Sequence, residues 1–486
     1  MTDTPHVADT APDDWKYISE GGSTIVFSYA GPPHPQFDGT ALRLRKRPTP
    51  AHEDAEKHEE PQPAAADEGQ ENEDEDEGQE DEGEDEPDDP TVVFQRVVIE
   101  RLLPAEHLPR LDAVRVGHAW LAALARATEP LRPPERRAKD AIDVRRRKAV
   151  LATDLVGGEG WAVEIKPKWG FLPAPTHLSP ATRPIKTRTC RFCMHAHLKS
   201  TQGEDVALGY CPLDLFSGDA PRVRRALRAL WDAWLGAGGA VNNLRVFVRG
   251  RMVKPTVDVP LPRTRPLDAL RDAFLGALLP LLLRTRVLRA LGTLQRTLDA
   301  LDVEGLAALW AARRTAAPEL GRGERDPDIA EWARFVDEYR ARRDALAEEQ
   351  LGRGGERQEG EGEGEGGEGG VRVHATEEEL RFRLAAYLLS ASFKDCSLIL
   401  RLKPDPDPDP APDSHAPTDE DEDEDGDGAY AGGARPVRQA GTVAVIDLDV
   451  KGVGRLAKWA ALDRAIVDAY RGVAPRDCQD AWRPAS

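Results

Sequence analysis

Four short segments set polar side chains at spacings that burial alone does not require. In Glu164-Ile165-Lys166-Pro167-Lys168, strand alternation puts Glu164, Lys166 and Lys168 on one face, with Val163 and Ile165 on the other. Two neighbouring lysines repel, and an anion between them relieves the repulsion. A solvated edge strand, which tolerates Pro167, is the plainer alternative. In the segment from Thr189 to Lys199, Arg191, His195 and Lys199 fall at i, i+4 and i+8 of a helix, a stripe suited to a polyanion. The same segment holds Cys190, Cys193, His195 and His197 as candidate metal ligands. They are more cramped than the usual zinc patterns, whose ligand pairs lie about a dozen residues or more apart. Small apolar fillers are the default reading of the cysteines. In Asn242-Asn243-Leu244-Arg245, Arg245 reads equally as a bidentate phosphate ligand or as the partner of a structural carboxylate.

The fourth segment is Val445-Ile446-Asp447-Leu448-Asp449-Val450-Lys451. Asp447, Asp449 and Lys451 share a strand face, and Lys451, Arg455 and Trp459 then follow at helical spacing. A carboxylate at the end of a buried strand is a place to hold Mg²⁺ in phosphoryl transfer. Asp395 opens a second strand. One aspartate for a metal and another to accept a hydroxyl proton are what a kinase needs, though strand-end aspartates are also ordinary turn formers. Gly21-Gly22, between two short strands, could lie over nucleotide phosphates within reach of Arg43. It is also what any hairpin has, and neither a Walker A nor a GxGxxG string is present.

Charge agrees with an anionic ligand. The 486 residues carry a net −20, but three tracts hold far more than that. Residues 51–90 contribute −20, 348–369 contribute −6 and 404–428 contribute −12, so the other 399 residues carry about +18. These tracts lack apolar surface to offset ordering entropy and read as disordered acidic inserts at 51–90, 348–369 and 404–440. The longest apolar run, Ala273 to Leu283, is short of the roughly 18–20 residues of a membrane span. Five sparse cysteines and no visible secretory signal fit an intracellular protein, nuclear or cytoplasmic. No RNA-binding string with interleaved aromatics appears, and no nucleic-acid partner is expected.

The positioning elements follow from periodicity. Trp15 to Ile18 and Thr24 to Tyr29 read as a hairpin, Ala41 to Arg45 as a third strand, and Thr91 to Glu100 is rich in β-branched residues. Leu111 to Arg126 and Leu267 to Arg314 have helical spacing. Thr376 and Glu379 form a capping box ahead of a helix from Glu377 to about Leu389. Cys396 to Leu402 and Thr442 to Val450 read as strands, and Arg455 to Tyr470 as a final helix. The sum is a mixed α/β (α+β) chain in two lobes, 1–155 and 156–486.

Taken together, EIKPKWGFLP (Glu164–Pro173), KTRTCRFCMHAHLK (Lys186–Lys199), YCPLDLFSG (Tyr210–Gly218), NNLRVF (Asn242–Phe247), KDCSLIL (Lys394–Leu400) and VIDLDVK (Val445–Lys451) resemble the inositol-pentakisphosphate 2-kinase family. The opening WKYISEGGSTIVFSY and the LDVEGL stretch are similar too. The resemblance implies a two-lobed inositol phosphate kinase, remotely like protein kinases. It would use ATP and Mg²⁺ to phosphorylate the 2-hydroxyl of inositol 1,3,4,5,6-pentakisphosphate, acting as a monomer. It assigns Gly21, Gly22, Arg43, Asp154, Glu164, Lys166 and Asp447 to ATP, with Asp447 on Mg²⁺ and Leu151 to Asp154 near the adenine. It assigns Lys168, Arg191, His195, Lys199, Asn242, Arg245, Lys451, Arg455 and Trp459 to substrate. Arg136, or its neighbour Arg137, would close on substrate from the N-lobe. Asp395 would be the base, with Lys166 offsetting charge beside it. Plant members have Tyr where this chain has Trp459, and a Cys/His zinc site in a C-lobe insertion. The corresponding region here, Trp310 to Arg334, has no Cys or His, so no structural zinc is expected. The competing reading is an inactive binder of inositol polyphosphates.

Overall fold

The computed structural model describes residues 4–49, 86–158, 160–255, 267–350, 376–402 and 441–481. The central stretches of all three acidic tracts lie outside the described residues. Residues 86–90, counted above with the first tract, are described and have defined partners. Glu86 accepts the backbone N–H groups of Arg147 and Lys148 at 2.6 and 3.0 Å.

The first sheet is built from β1 (Trp15–Glu20), β2 (Thr24–Tyr29) and β3 (Thr40–Pro48). Then comes helix α1 (Pro90–Val97), followed by β4 (Leu111–Arg115), α2 (His118–Thr128), β5 (Asp140–Ile142) and β6 (Lys148–Thr153). The strand order is β1-β2-β3-β6-β4, with β5 beside the end of β3, and every pairing is antiparallel. Trp15, Phe27 and Phe37 anchor its core, with Trp15 meeting Tyr29 and Phe37 edge-on.

β7 (Trp161–Ile165) opens the second sheet. Helices α3 (Arg191–Thr201) and α4 (Ala220–Gly236) precede β8 (Leu244–Val248) and β9 (Arg251–Val253). Helices α5 (Leu267–Arg284), α6 (Val287–Leu298), α7 (Asp302–Arg313), α8 (Ile329–Gln350) and α9 (Glu377–Asp395) follow. The chain ends through β10 (Ser397–Leu402), β11 (Gly441–Ile446) and α10 (Leu456–Tyr470). The strand order is β11-β10-β7-β8-β9, again antiparallel. The helices bury a continuous apolar core around Leu278, Leu291, Leu306, Trp310, Val336 and Leu388. Each such side chain contributes roughly 1.5–3 kcal/mol by leaving water. No helix among the described residues is long and apolar enough to cross a membrane.

Several elements differ from the sequence reading, for local reasons. The β-branched run after the first tract forms α1, not a strand. Asp89 caps it by accepting from Thr91 N, and Pro90 occupies its first turn. Phe94, Val98 and Ile99 then join the large core, and Phe94 meets Trp332 of α8 edge-on. Leu111 to Arg126 splits into β4 and α2, because Leu111–Arg115 pairs with β6. α9 runs six residues beyond Leu389, to Asp395, and Thr376 caps it by accepting from Glu379 N at 3.1 Å. β7 stops at Ile165 and β11 at Ile446, so Glu164 is in the ladder while Lys166, Lys168, Asp447, Asp449 and Lys451 lie beyond it, where strand alternation does not place them.

Asp89 also takes the Arg45 guanidinium of β3 at 2.6 Å, tying α1 to the first sheet. Burial alone would raise the Asp89 pKa, but Arg45 and the Thr91 amide outweigh it and hold the carboxyl below its ordinary value. Asp89→Ala should lower unfolding stability by about 2–4 kcal/mol, from the lost cap and the stranded cation. Asp89→Asn, which keeps the cap, should lose about half of that. Because the folded-state pKa is depressed, the contribution is complete above the unfolded value of about 3.9 and disappears as pH falls through the folded one. Urea melts of both variants across pH check this.

Candidate active site

The second sheet brings its chemistry to one edge. β7 ends at Ile165, β10 begins at Ser397 and β11 ends at Ile446, and the register pairs Ile165 with Leu398 and Ser397 with Ile446. Lys166, Ser397 and Asp447 therefore emerge side by side. Lys166 Nζ lies 2.9 Å from Ser397 Oγ and 3.3 Å from Asp447 Oδ2. Ser397 Oγ sits 2.8 Å from Glu164 Oε1 and 3.0 Å from Asp447 Oδ2. Lys168 and Asp447 hold left-handed backbone, with φ of +62° and +61°. Such conformations are uncommon outside glycine and aim both side chains off the sheet edge.

Two cavities meet at this seam. One, of about 380 Å³, lies between the two sheets. Its polar wall includes Gly21, Arg43, Arg136, Asp154, Glu164, Lys166, Arg245 and Asp447, and its apolar wall Ile18, Val26, Phe247, Ile399 and Leu448. The other, of about 520 Å³, lies over α3 and the start of α10. Lys168, Arg191, His195, Lys199 and Asn242 line it from one side, and Asp395, Lys451, Arg455 and Trp459 from the other. Met194 of α3 packs on Ile466 and Tyr470 of α10, which sets the two cationic stripes facing each other.

Most residues singled out from sequence gather here, with corrections for Arg245, Arg136, Gly22, Asp154 and Lys451. Arg245 faces the inter-sheet cavity, where it sits 3.3 Å from Glu164, its cross-strand neighbour, and not the cavity holding the other substrate candidates. Arg136 also lines the inter-sheet cavity, donating to the Gly21 carbonyl at 3.4 Å. Beneath it, Lys46 and Arg132 are buried against Glu20 and Asp140, so the glycine turn rests on a rigid charge cluster. Gly22 is not in the cavity wall, though its neighbour Gly21 is. The Asp154 carboxylate is spent on structure: it accepts from Val156 N at 3.0 Å, Gly157 N at 2.7 Å and the Ser28 hydroxyl. A Cβ on Gly157 would strike that carboxylate at 2.0 Å, so the turn requires glycine. Lys451 precedes α10, and a 3₁₀ turn at Val453–Arg455, rather than one continuous helix, brings it beside Arg455.

Asp395 stands between two lysines, 3.1 Å from Lys168 Nζ and 3.3 Å from Lys451 Nζ. Burial would raise its pKa, but the two ammonium groups overcome this and hold it below the usual carboxylate value. His195 behaves oppositely: burial, then Arg191 and Lys199, push its imidazole down to about 4. It is therefore neutral near pH 7, a hydrogen-bonding group rather than a third cation of the stripe.

Sequence reading missed the floor of this cavity. Trp169 lies under two cations, Arg191 at 4.8 Å and Lys394 at 4.0 Å from its ring centre. Lys394 is buried, its ammonium 2.5 Å from Asp299, and burial holds its pKa below that of a free lysine. Lys186, also buried, donates to Asp302 at 2.5 Å and Asp463 at 2.8 Å, and Asp463 in turn takes Arg191 at 3.3 Å. Burial opposes the Lys186 charge, but the two carboxylates raise its pKa regardless. Trp169 was inside a quoted string, so its position was readable. The buried pairs were not, because only the fold brings residues about 100 to 280 apart together.

The histidines of the Cys190–His197 segment do not join its cysteines: His195 lines the cavity and His197 meets Tyr470 edge-on. Cys190 and Cys193 instead meet Cys211 and Cys478.

A family model described as inositol-pentakisphosphate 2-kinase matches residues 17–465. An inositol-pentakisphosphate 2-kinase of Cryptococcus neoformans var. neoformans is 33% identical over 478 residues, covering 94% of each chain. One from Arabidopsis thaliana is 29% identical over 323 residues, covering 60% of this chain and 68% of its own. One from Oryza sativa subsp. indica is 30% identical over 254 residues, covering 49% and 53%. The chain is thus a kinase, a transferase with a cation-lined cavity beside a carboxylate-bearing cleft. It belongs to the inositol-pentakisphosphate 2-kinase family.

In the ligand-free protein, the His195 ring should stay neutral down to about pH 4 when followed by NMR of labelled histidine. Tripolyphosphate, added as a simple polyanion, should raise its midpoint by masking Arg191 and Lys199. A midpoint near 6.5 without ligand would contradict the site described here.

Proposed function

We propose that the protein transfers the γ-phosphoryl group of ATP to the 2-hydroxyl of inositol 1,3,4,5,6-pentakisphosphate, giving the hexakisphosphate and ADP. The observation that carries this is the position of Asp395: a carboxylate inside a basic cavity, next to the seam with the inter-sheet cleft. Each phosphate monoester brings about −1.5 to −2 charge at neutral pH. Few small molecules other than a polyphosphorylated ring match cations on so many sides of one cavity. The names of the relatives favour the same substrate.

ATP is assigned to the cleft between the sheets. The base has apolar walls there, Glu164 is available to the nucleoside, and Arg43, Arg136 and Lys166 are available to the phosphates. Arg245, paired to Glu164 on the same wall, belongs on the nucleotide side of this assignment. Asp447 suits Mg²⁺: its side chain is 42% exposed, and Oδ2 takes the contacts with Lys166 and Ser397, leaving Oδ1 for a ligand. Mg²⁺ is commonly held by one or two carboxylates plus substrate phosphates, and it would supply charge neutralisation on the transferred group. Lys168, Arg191, Lys199, Lys451 and Arg455 pair with substrate phosphates, and His195 and Asn242 offer hydrogen bonds. Asp395 takes the proton of the 2-hydroxyl as its oxygen bonds to the γ-phosphorus and the bond to the ADP oxygen breaks.

Substrate itself tunes the base. While the cavity is empty, Lys168 and Lys451 keep Asp395 a weak base. Phosphates that draw those ammonium groups away release the carboxylate and raise its pKa.

The test is incubation with Mg-ATP and the pentakisphosphate, with products resolved by anion exchange. Hexakisphosphate should appear, and Asp395→Asn should reduce turnover by roughly 10²–10⁴-fold with little change in substrate affinity. Binding without product in the native chain would favour an inactive binder. Lys451→Ala should shift the acidic limb of kcat/KM to higher pH, because the free enzyme then lacks one of the cations depressing Asp395. An unmoved limb would remove Asp395 from that role.

A further inference from the structure

Ser397 opens β10 at the seam between the two cavities, and its side chain is fully buried. It is absent from the described walls of both cavities. A buried serine ordinarily satisfies its hydroxyl on the backbone or on water. Ser390 and Ser392 of α9 do so, donating to the carbonyls of Gln295 at 2.9 Å and Asp449 at 2.6 Å. Ser397 is surrounded by charge instead. Its Oγ accepts from Lys166 Nζ at 2.9 Å and lies 2.8 Å from Glu164 Oε1 and 3.0 Å from Asp447 Oδ2. A hydroxyl carries one hydrogen, so it donates to one carboxylate at a time.

The charged groups around Ser397 do not close on one another. Lys166 Nζ stays 3.3 Å from Asp447 Oδ2 and 3.8 Å from Glu164 Oε1. An ammonium and a carboxylate in direct contact close to about 2.7–2.9 Å. The hydroxyl takes the short contacts, and the ion pairs stay long. We propose that Ser397 is a positioning residue: its hydroxyl keeps Lys166 and Asp447 from neutralising each other, so that the lysine stays available to nucleotide phosphates and the aspartate to Mg²⁺. Ser397 has this role only with ATP and Mg²⁺ in the cleft as assigned above.

Removing Oγ would leave the ammonium facing two carboxylates with nothing between them. Glu164 is already held, buried and with Arg245 at 3.3 Å from its Oε2. Asp447 is more exposed and lies beyond the last ladder pair of β11. Lys166 would therefore close on Asp447, and a metal would have to displace that ammonium before binding. The hydroxyl also joins the two ends of the nucleotide assignment, Glu164 at the nucleoside and Asp447 at the metal. With Mg²⁺ drawing on the Asp447 carboxylate, the single hydrogen goes to Glu164, the nearer acceptor, and fixes that side chain. A polar filler at a strand end, the plainer account, needs only one partner and no charged ones.

The experiment is calorimetric titration of the full chain with a non-hydrolysable ATP analogue, once in Mg²⁺ and once in EDTA. In the native chain Mg²⁺ should tighten binding, and Ser397→Ala should cut that gain about tenfold. In a Lys166→Met background, Ser397→Ala should leave the gain unchanged, since no ammonium remains to close on Asp447. A loss that is equal in Mg²⁺ and EDTA, or that persists without Lys166, makes Ser397 merely structural and overturns the inference. If the variants fail to fold, a crystal structure of the native chain with Mg²⁺ and the analogue decides. There the hydroxyl should still separate Lys166 Nζ from Asp447, and a direct ion pair at about 2.8 Å overturns the role. A native chain whose binding gains nothing from Mg²⁺ removes the metal from Asp447, and this inference with it. A native gain that survives Ser397→Ala in full removes Ser397 alone.

Discussion

The mutual repulsion of cations is the constraint around which the larger half of this structure is arranged. Lys168, Arg191, Lys199, Lys451 and Arg455 line one cavity and repel one another across it. The protein manages this with carboxylates placed behind or between the cations. Asp463 stands behind Arg191, and Asp395 lies between Lys168 and Lys451. Glu204 takes Lys199 at 2.7 Å. Each counter-charge leaves the cation facing the cavity while lowering the cost of having it there. Replacing one partner of a buried pair would leave the other stranded, which typically costs more than the pair contributes.

The same sheet edge explains why the chemistry of two cavities is so tightly coupled. Three adjacent strands end or begin within a residue of each other, so one ladder register fixes Lys166, Asp395, Ser397 and Asp447 together. A one-residue slip would turn Ser397 to the opposite face and displace the strand ends from which Lys166 and Asp447 emerge. Packing behind the edge guards the register. Gly170 sits where a Cβ would come within 2.6 Å of the Phe216 ring, and its N–H donates to the buried Gln295 side chain at 2.8 Å.

Much of this was legible in the chain. Helical spacing identified the Arg191, His195 and Lys199 stripe, and the capping box located the start of α9. Strand-end aspartates pointed to the seam. What escaped had physical causes. Propensity for β structure in Thr91 to Glu100 lost to a cap, a proline and burial against α8. Alternation fails past Ile165 and Ile446 because the strands end there, with left-handed backbone following at once at Asp447 and three residues on at Lys168. Nothing in their local sequence marks Lys186 and Lys394 as buried members of the scaffold, because their carboxylate partners Asp302, Asp463 and Asp299 lie far along the chain. The thiol cluster combines Cys190, Cys193 and Cys211 with Cys478, more than 250 residues further on, and no window of sequence contains it.

The contrast between the two cavity walls has a pharmacological consequence. A molecule made to fill the basic cavity must carry several phosphate-like charges, and such compounds do not cross membranes by themselves. The cleft between the sheets offers Val26, Phe247, Ile399 and Leu448 as flat apolar walls, with Arg245 at the rim. A planar heteroaromatic scaffold with little or no charge suits those walls and is the kind of molecule that enters cells. Selective inhibitors of this enzyme should therefore be sought from the side of the cleft.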